Sequence, residues 1–515
     1  MPFILALTPI IVILVLMVVL RWGAARAGGV GYLTALLIAI TFFGAGPQLL
    51  AYAHTRALLL AVDVLLIIWA AFLLYRVADE AGAIRTIGES LPYLTANPGM
   101  QALIIGWVFA SFLQGVGGFG VPVAVIAPIL VGLDFSPLAA VVLPSIGHGW
   151  AVTFGSLGSS FQALIAATGL PGEQLAGPSA IFLGISGFLV GAMVAFFVGG
   201  WAGLKQLAVP VLALGSVMSL TLYVVATAGL WNIASFSAGL AGLIVAIPLA
   251  GRYRGEQNHS ERLDSRRLLI ALSGYAVMMI VILGIQMIPP VRAWLGQWVI
   301  QINFPEVATL GGRFGLAPFV TAAGPGRKIP ILRHTGSILA YSAFLAYLIY
   351  RWAGWYPPGA PRRILSGTVR RVMSSSVSIT SMVTMAVIME NAGMTDTLAR
   401  GLAEGMGAVF PLVAPWIGAI GAFMTGSNTN SNVVFGALQL RTAQLLGFQV
   451  AIILAAQTAG AALASVMAPT KVVVGASTAG MAGREGEVMR TLLIYTGLLV
   501  SLVSILALLG TLLAA

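Results

Sequence analysis

The sequence of 515 residues is poor in charge and contains no cysteine. Only 8% of its residues are Asp, Glu, Lys or Arg, against roughly 25% in an ordinary soluble domain. Without cysteine there can be no disulfide, cysteine metal site or thiol nucleophile. The four histidines, at positions 54, 148, 259 and 334, show no spacing typical of a metal site or an intramembrane enzyme. We therefore expect no catalytic residues, no metal and no cofactor.

What the chain has instead is apolar sequence. Hydrophobic residues make up 59% of it, and many runs exceed the roughly 20 apolar residues that cross a bilayer. The net charge is +11, and the basic residues cluster at the ends of these runs, as in positive-inside topology. We therefore expect lipid and not nucleic acid as a partner. We predict an all-α polytopic membrane protein with about 12 full spans. Hydropathy places them near residues 3–20, 30–50, 57–76, 137–170, 178–200, 206–228, 231–250, 268–289, 336–352, 371–390, 448–482 and 489–513.

Loop charges set the predicted orientation. The loop 251–267 carries five arginines, and placing it in the cytoplasm puts the N-terminus outside. Arg21 and Arg26 follow the first apolar run and no basic residue precedes it, which favours a retained helix over a signal peptide. The segment 290–335 does not fit, because its five basic residues would lie outside. It could hold an extra span or a re-entrant piece.

Three short matches indicate an internal repeat. DEAGAIRTI (79–87) resembles ENAGMTDTL (390–398), FLQG (112–115) resembles FMTG (423–426), and TGLPGE (168–173) resembles AGMAGR (479–484). Their glycines are each 311 positions apart, and one offset shared three times is not expected by chance. We predict N-terminal helices (1–56), a first repeat (57–204, with hairpin 98–132 and broken helix 137–170), a connecting region (205–367) and a second repeat (368–515, with hairpin 408–446 and broken helix 448–482).

Each predicted hairpin and broken helix has a polar or glycine-rich interruption. By the topology above, the first hairpin enters from inside and the second from outside, so the repeats are inverted, with Gly115 and Gly426 at the two tips. Inverted repeats with broken helices are typical of secondary transporters that bind substrate at mid-membrane. Free N–H groups at helix N-termini suit a carboxylate. The interruptions are QGVGGFG (114–120), GSLGSS (155–160), TGSNTNSN (425–432) and MAPTK (467–471).

These segments also resemble a known family. FLQGVGGFGVPVAVIAPILVGLDFSPL (112–138), FMTGSNTNSNVVFGALQ (423–439) and MAPTKVVVGASTAGMAGREGEVMR (467–490) closely resemble the bacterial lactate permeases, over most of the chain from about residue 57. The resemblance implies a multi-pass protein of the bacterial inner membrane that takes up L-lactate, and often D-lactate or glycolate, with a proton by alternating access. The SNT at 427–429 is also similar to the hairpin tips of sodium-coupled di- and tricarboxylate carriers. A sodium-coupled or otherwise coupled carrier of another small organic anion is therefore the alternative.

The sequence departs from the family's usual pattern at four positions. Gln114 stands where the family usually has Glu, and Asn428 replaces the Asp of GSDT. His148 appears in GHGW, and Lys471 stands in place of a Gln. Two carboxylates are thus lost and a cation is gained. We expect His148 to be the proton-coupling residue, with Asp63 in reserve because a carboxylate within a span is costly unless it is used.

Each candidate also has a purely structural explanation. The glycines could allow close helix packing, the hydroxyls and amides could cap helices, and Lys471 could extend to an interface. The sequence also leaves a homodimer open. The predicted substrate-binding residues are Gln114, Gly115, Gly117, Gly118, His148, Ser156, Ser159, Ser160, Ser427, Asn428, Thr429, Asn432, Thr470 and Lys471.

Overall fold

The structure is a computed structural model that describes residues 1–118, 120–253, 264–313 and 315–513. Within these ranges, twelve helices are long and apolar enough to cross a membrane. The all-α polytopic class is therefore confirmed. Most of the arginine-rich loop used to orient the chain, residues 254–263, lies outside the described residues.

The helices are described unit by unit, with the unit boundaries predicted above. The N-terminal region contains α1 (Pro2–Leu14, continued by π-helical Val15–Val19) and α2 (Ala24–Thr41). The first repeat contains α3 (Pro47–Glu80), α4 (Ala83–Ser90), α5 (Pro98–Gln101, continued by π-helical Ala102–Phe109), α6 (Ala110–Val116), α7 (Val121–Val131), α8 (Pro137–Gly149), α9 (Gly155–Thr168) and α10 (Gly172–Gln206).

The connecting region and the second repeat complete the chain. The connection contains α11 (Ala208–Val225), α12 (Ala234–Arg252), α13 (Ser265–Met287), α14 (Pro289–Leu295), six two-residue strands and α15 (Thr335–Trp352). The second repeat contains α16 (Ala360–Asn391), α17 (Met394–Met406), α18 (Phe410–Thr425), α19 (Asn428–Leu446), α20 (Val450–Ala464), α21 (Pro469–Thr478) and α22 (Glu485–Leu513). Both repeats therefore run as a long helix, a short helix, a hairpin, a broken helix and a long helix.

Matching glycines mark equivalent turns in the two repeats. Gly82 and Gly393 have φ values of 74° and 78°, and Gly169 and Gly480 have 70° and 74°. Glycine enters this left-handed region without the penalty that a Cβ imposes. Two of the three sequence matches therefore correspond to the same local backbone.

The glycines of the third match do not occupy equivalent turns. The prediction that Gly115 lies at a hairpin tip was wrong. Gly115 lies inside α6, which ends at Val116, and the glycines at which the chain turns follow that helix. A Cβ on Gly115 would lie 2.5 Å from the Phe236 Cα on α12. Gly115 is therefore small because two helix backbones meet there, whereas Gly426 ends α18 with φ 69°.

The end of the predicted span 30–50 and the start of the predicted span 57–76 were also wrong. The apolar run 30–50 is not one helix, since α2 ends at Thr41 and α3 begins at Pro47. Between them Gly44 has φ 70°, and its carbonyl accepts a 2.8 Å hydrogen bond from the Leu310 N–H. The turn stays apolar because another segment covers it, so hydropathy alone could not show that the helix stops.

That segment replaces the extra span or re-entrant piece that 290–335 was expected to hold. After the short helix α14, the strands pair as nested antiparallel ladders: β1 (Val299–Ile300) with β6 (Ile329–Pro330), β2 (Asn303–Phe304) with β5 (Gly324–Pro325), and β3 (Val307–Ala308) with β4 (Val320–Thr321). We call residues 299–330 the β cover. Phe304 packs on Tyr52 of α3 at 4.9 Å between ring centroids.

Helices α3 and α16 pack along each other and are ion-paired near both ends. Arg363 of α16 contacts Glu80 of α3 at 2.6 Å, and Arg56 of α3 contacts Glu390 of α16 at 3.3 Å. The two helices are therefore antiparallel. We call the Arg363 end the inner side, following the positive-inside rule, and the end beneath the β cover the outer side.

Candidate functional site

The second hairpin tip carries a compact group of polar side chains. Gly426 turns the chain, and the Ser427 side chain accepts a 3.3 Å hydrogen bond from the Asn430 N–H, which caps α19. The first turns of α19 then hold Asn428, Thr429 and Asn432, all buried. A capped N-terminus fixes these side chains and leaves the positive end of the helix dipole at the tip.

Amides at this tip bridge the two broken helices. The Asn428 Nδ2 donates to the Thr153 Oγ1 at 3.2 Å and points to the Thr458 Oγ1 at 3.5 Å. The Asn432 Nδ2 donates to the Thr458 Oγ1 and to the Ser160 carbonyl, both at 2.9 Å. Thr153 precedes α9 and Thr458 lies on α20. The hydrogen bonds from Asn428 to Thr153 and from Asn432 to Ser160 therefore connect the second tip to the first repeat.

The interruption of the first broken helix is a run of left-handed residues. Ser156, Leu157 and Gly158 have φ values of 48°, 53° and 78°, and the first two adopt this conformation at an energetic cost because they carry side chains. The helix resumes at Ser159. As a result the Ser160 hydroxyl lies 3.0 Å from the Thr429 hydroxyl of the other repeat.

Glycines of the first hairpin tip pack closely against this interruption. A Cβ on Gly118 would collide with the Ser156 Oγ, and one on Gly155 would lie 2.8 Å from the Gln114 Nε2. Gly117 is enclosed by Tyr75 and Val121. Gln114 is the polar side chain that this tip contributes, and it is buried. The structure thus brings Gln114, Gly117, Gly118 and Ser156 together but places Gly115 against α12.

A cavity of about 280 Å³ reaches the second tip from the inner side. Lys471 lies in its wall, half-buried, and its Nζ donates to the Ser465 Oγ at 3.1 Å. Two cations line the cavity, and its described lining includes no carboxylate. Hydroxyl and amide side chains supply the other polar groups. The polar and charged lining residues are Arg371, Ser374, Ser375, Ser378, Thr425, Ser427, Asn430, Thr470 and Lys471.

Several buried polar atoms of the hairpins and broken helices have no hydrogen-bond partner among the described residues. They are the Gln114 Oε1, His148 Nε2, Ser159 Oγ, Asn428 Oδ1, Asn430 Oδ1 and Asn432 Oδ1. Buried polar groups are normally satisfied. Their concentration where the hairpins and broken helices meet is therefore typical of a binding site.

The two predicted proton-coupling residues occupy different places. His148 is fully buried near the end of α8, its Nδ1 lies 2.6 Å from the Pro144 carbonyl oxygen, and it is near enough to Lys471 to interact electrostatically. Asp63 does not line the cavity. Its carboxylate is bound by Arg327 at 2.5 Å and by His334 at 2.9 Å.

Sequence analysis missed five residues of this site. Thr153, Thr458, Asn430, Ser378 and Ser465 all hydrogen-bond to predicted site residues or to the tip. Asn430 lay inside the quoted interruption 425–432. Thr458 is a hydroxyl in the otherwise apolar α20, and such isolated polar residues within spans are the signal that was available.

The architecture and this polar junction are typical of a polytopic membrane carrier built from two hairpin and broken-helix units. The model of the L-lactate permease family matches residues 2–514. The chain therefore belongs to that family, which confirms the resemblance and is consistent with a multi-pass protein of the bacterial inner membrane.

Individual relatives cover most of the chain. The L-lactate permease of Salmonella typhimurium is 27% identical over 451 residues, with 82% of this chain and 80% of the relative covered. The glycolate permease GlcA of Escherichia coli is 27% identical over 540 residues, with 98% and 94% covered. The YdaH transporter of Alcanivorax borkumensis superposes with a TM-score of 0.51 at 14% identity, covering 90% of this chain and 87% of that one. That likeness concerns the fold alone.

Proposed function

We propose that this protein is a secondary active transporter that imports a small 2-hydroxy monocarboxylate with a proton. L-lactate is the expected substrate, with D-lactate or glycolate as close analogues. The relatives named L-lactate permease and glycolate permease support this substrate class. The observation that carries the proposal is the inner cavity, whose described lining combines two cations with hydroxyls and amides and includes no carboxylate.

The cavity chemistry fits such a substrate in two ways. A carboxylate would be attracted by Lys471 and by the N-terminus of α19, because both present positive charge to the tip. A 2-hydroxyl group is both donor and acceptor, which matches the unpaired oxygens of Asn428 and Asn430 and the side chain of Ser427. Gln114, Ser159, Ser160, Thr429, Asn432 and Thr470 complete the proposed site.

The positions of the cavities support alternating access. The inner cavity touches the second tip at Gly426 and Ser427. A larger outer cavity of about 990 Å³ ends against α9 at Gln162, Ile165 and Ala166. This conformation is therefore inward-facing in the proposed cycle, and transport requires a second conformation in which the outer cavity reaches the site.

We infer that His148 links the proton to the anion. Two cations in one buried place repel each other, so protonated His148 and Lys471 together are disfavoured unless an anion lies near both. Lactate binding would then favour proton binding, and each must raise the other's affinity. Asp63 remains the reserve candidate, but its carboxylate is already bound by Arg327.

One observation favours the sodium-coupled alternative. The three amide oxygens of Asn428, Asn430 and Asn432 are buried and accept no hydrogen bond from the described residues. Amide oxygens are suitable ligands for hard cations such as Na⁺. The two forms of coupling give different results when each gradient is imposed alone.

The test is uptake of labelled lactate into proteoliposomes with pH and sodium gradients imposed separately. An acid exterior should drive accumulation in the parent, and His148→Gln should lose that drive. His54→Gln is the matched control, because the His54 Nδ1 makes the same contact with the carbonyl four residues earlier but lies away from the tips. Accumulation that ignores pH and follows sodium would reject proton coupling and favour the alternative.

A further inference from the structure

The outer cavity lies beneath the β cover and stops short of the proposed site. Its walls come from α3, from the outer half of the first broken helix, from residues of the cover and from the turn before α12, and they include Arg56, Gln162, Trp231, Phe304 and Arg327. None of the described residues of the two tips lines it. Part of the protein must therefore separate this cavity from the proposed site in the present conformation.

One buried carboxylate ties the surrounding elements together. Asp63 of α3 has a side chain only 3% exposed, and its Oδ2 accepts hydrogen bonds from the Arg327 Nε at 2.5 Å and the Gln162 Nε2 at 3.1 Å. Its Oδ1 lies 2.9 Å from the His334 Nε2. The His334 Nδ1 accepts from the Gly336 N–H at 3.1 Å, so the Nε2 carries the hydrogen and donates to Asp63.

These donors come from three separate parts of the fold. Arg327 belongs to the β cover, His334 caps α15, and Gln162 lies on α9. Gln162 is only two residues beyond Ser160, whose hydroxyl contacts Thr429 at the second tip. Movement of α9 that opens the site outward would therefore pull Gln162 away from Asp63.

We propose that Asp63 and Arg327 form the latch of an outer gate, which holds the β cover and α9 together while the carrier faces inward. The inference rests on the alternating-access mechanism proposed above. Asp63 then acts as a positioning residue and not as a proton carrier. Breaking the buried pair should favour the outward-facing conformation, because the cluster bridges the cover to α9 in the inward-facing form alone.

The absence of cysteine makes a direct test available. Ala163→Cys would place a single thiol on α9, one residue beyond Gln162, at a position that is fully buried here. In spheroplasts, the rate of labelling by a membrane-impermeant maleimide reports outward opening without requiring transport. Asp63→Asn and Arg327→Gln should each accelerate labelling at least about tenfold, as expected from losing a hydrogen bond to a charged group.

Controls separate a latch from general loosening. Asp396→Asn is the matched control, because Asp396 is also held by two arginines, Arg400 and Arg441, at 2.7 Å and 2.6 Å, but lies away from the outer cavity. It should leave the labelling rate unchanged. The double variant of Asp63 and Arg327 should label no faster than Asp63→Asn alone, since that single variant already removes the carboxylate that Arg327 binds.

The outcomes are distinct. Parent-like labelling in both folded single variants, or equal acceleration by Asp396→Asn, would overturn the latch. If Asp63→Asn does not fold, Arg327→Gln alone decides. Accelerated labelling in a protein that transports no monocarboxylate would support the latch and reject the proposed substrate, so the two failures can be told apart.

Discussion

The first hairpin ends in glycines where the second ends in hydroxyl and amide side chains. At the shared offset, Gly117 corresponds to Asn428 and Gly118 to Thr429. The first hairpin is also more enclosed. In the apolar stretch within 98–116, 94% of the residues are buried, whereas in the apolar stretch within 394–425 the share is 44%. The two repeats share an order of elements but not a chemistry.

This difference assigns separate tasks to the two tips. The first tip gives close backbone approach, since any Cβ on Gly118 would collide with Ser156. The second supplies the polar groups, and Asn428 and Asn432 reach across to Thr458. The proposed site is therefore asymmetric although the fold is built from two related units, and this asymmetry fits the proposed substrate, lactate.

The largest expected effect is loss of transport when the polar tip is made apolar. Asn428→Leu should abolish lactate uptake, because Leu cannot form hydrogen bonds to substrate, Thr153 or Thr458. Size-exclusion elution and expression should stay as in the parent. Uptake and elution are measured together on each variant.

Asn391→Leu is the matched control for that experiment. Asn391 is equally buried, and its Nδ2 donates to the Val387 carbonyl at 2.6 Å, away from both tips. It should retain most uptake. Near-normal transport by Asn428→Leu would place the site elsewhere.

The second-largest expected effect concerns Lys471, which stands where the family usually has Gln. Lys471→Gln should raise the KM for lactate roughly 5–150-fold, because a charge-assisted contact of about 1–3 kcal/mol is lost. Lys205→Gln, at an exposed lysine in the last turn of α10, should leave the KM unchanged. An unchanged KM for Lys471→Gln would mean that Lys471 extends to the membrane–water interface and does not contact the substrate.

These residues also show how far sequence reasoning reached. The order of elements and the second tip were predictable, because long apolar runs and a polar interruption are local signals. The contacts of Asp63 were not, since Arg327 lies 264 positions away in a segment without clear periodicity. Gly115 was misplaced because a glycine that turns the chain and one that admits a neighbouring backbone look the same in sequence.

The third prediction tests that reassignment of Gly115. Gly115→Ala should lower the free energy of unfolding by about 1–3 kcal/mol, the usual cost of overpacking, because the new Cβ would meet the Phe236 backbone. Gly284→Ala on α13, where a Cβ has open space, should not. Unfolding in mixed detergent measures both. If Gly115→Ala keeps parent stability but raises the KM, Gly115 belongs to the site after all.

The smallest effect concerns how the second tip is held. Ser427→Ala removes the acceptor of the Asn430 N–H, which costs about 1 kcal/mol at a typical N-cap, so we expect the KM to rise roughly fivefold. Ser427→Thr keeps the acceptor and should transport like the parent.

Ser427→Asp distinguishes the cap from the cavity that Ser427 also lines. Aspartate is as good an N-cap as serine, so the tip should stay ordered. It would, however, add a negative charge to a cavity whose described lining carries only positive ones. Uptake should therefore fall in Ser427→Asp although thermal stability is kept. A stable Ser427→Asp variant with parent-like uptake would mean that the anion does not approach this tip, and the asymmetry between the two hairpins would then serve folding alone.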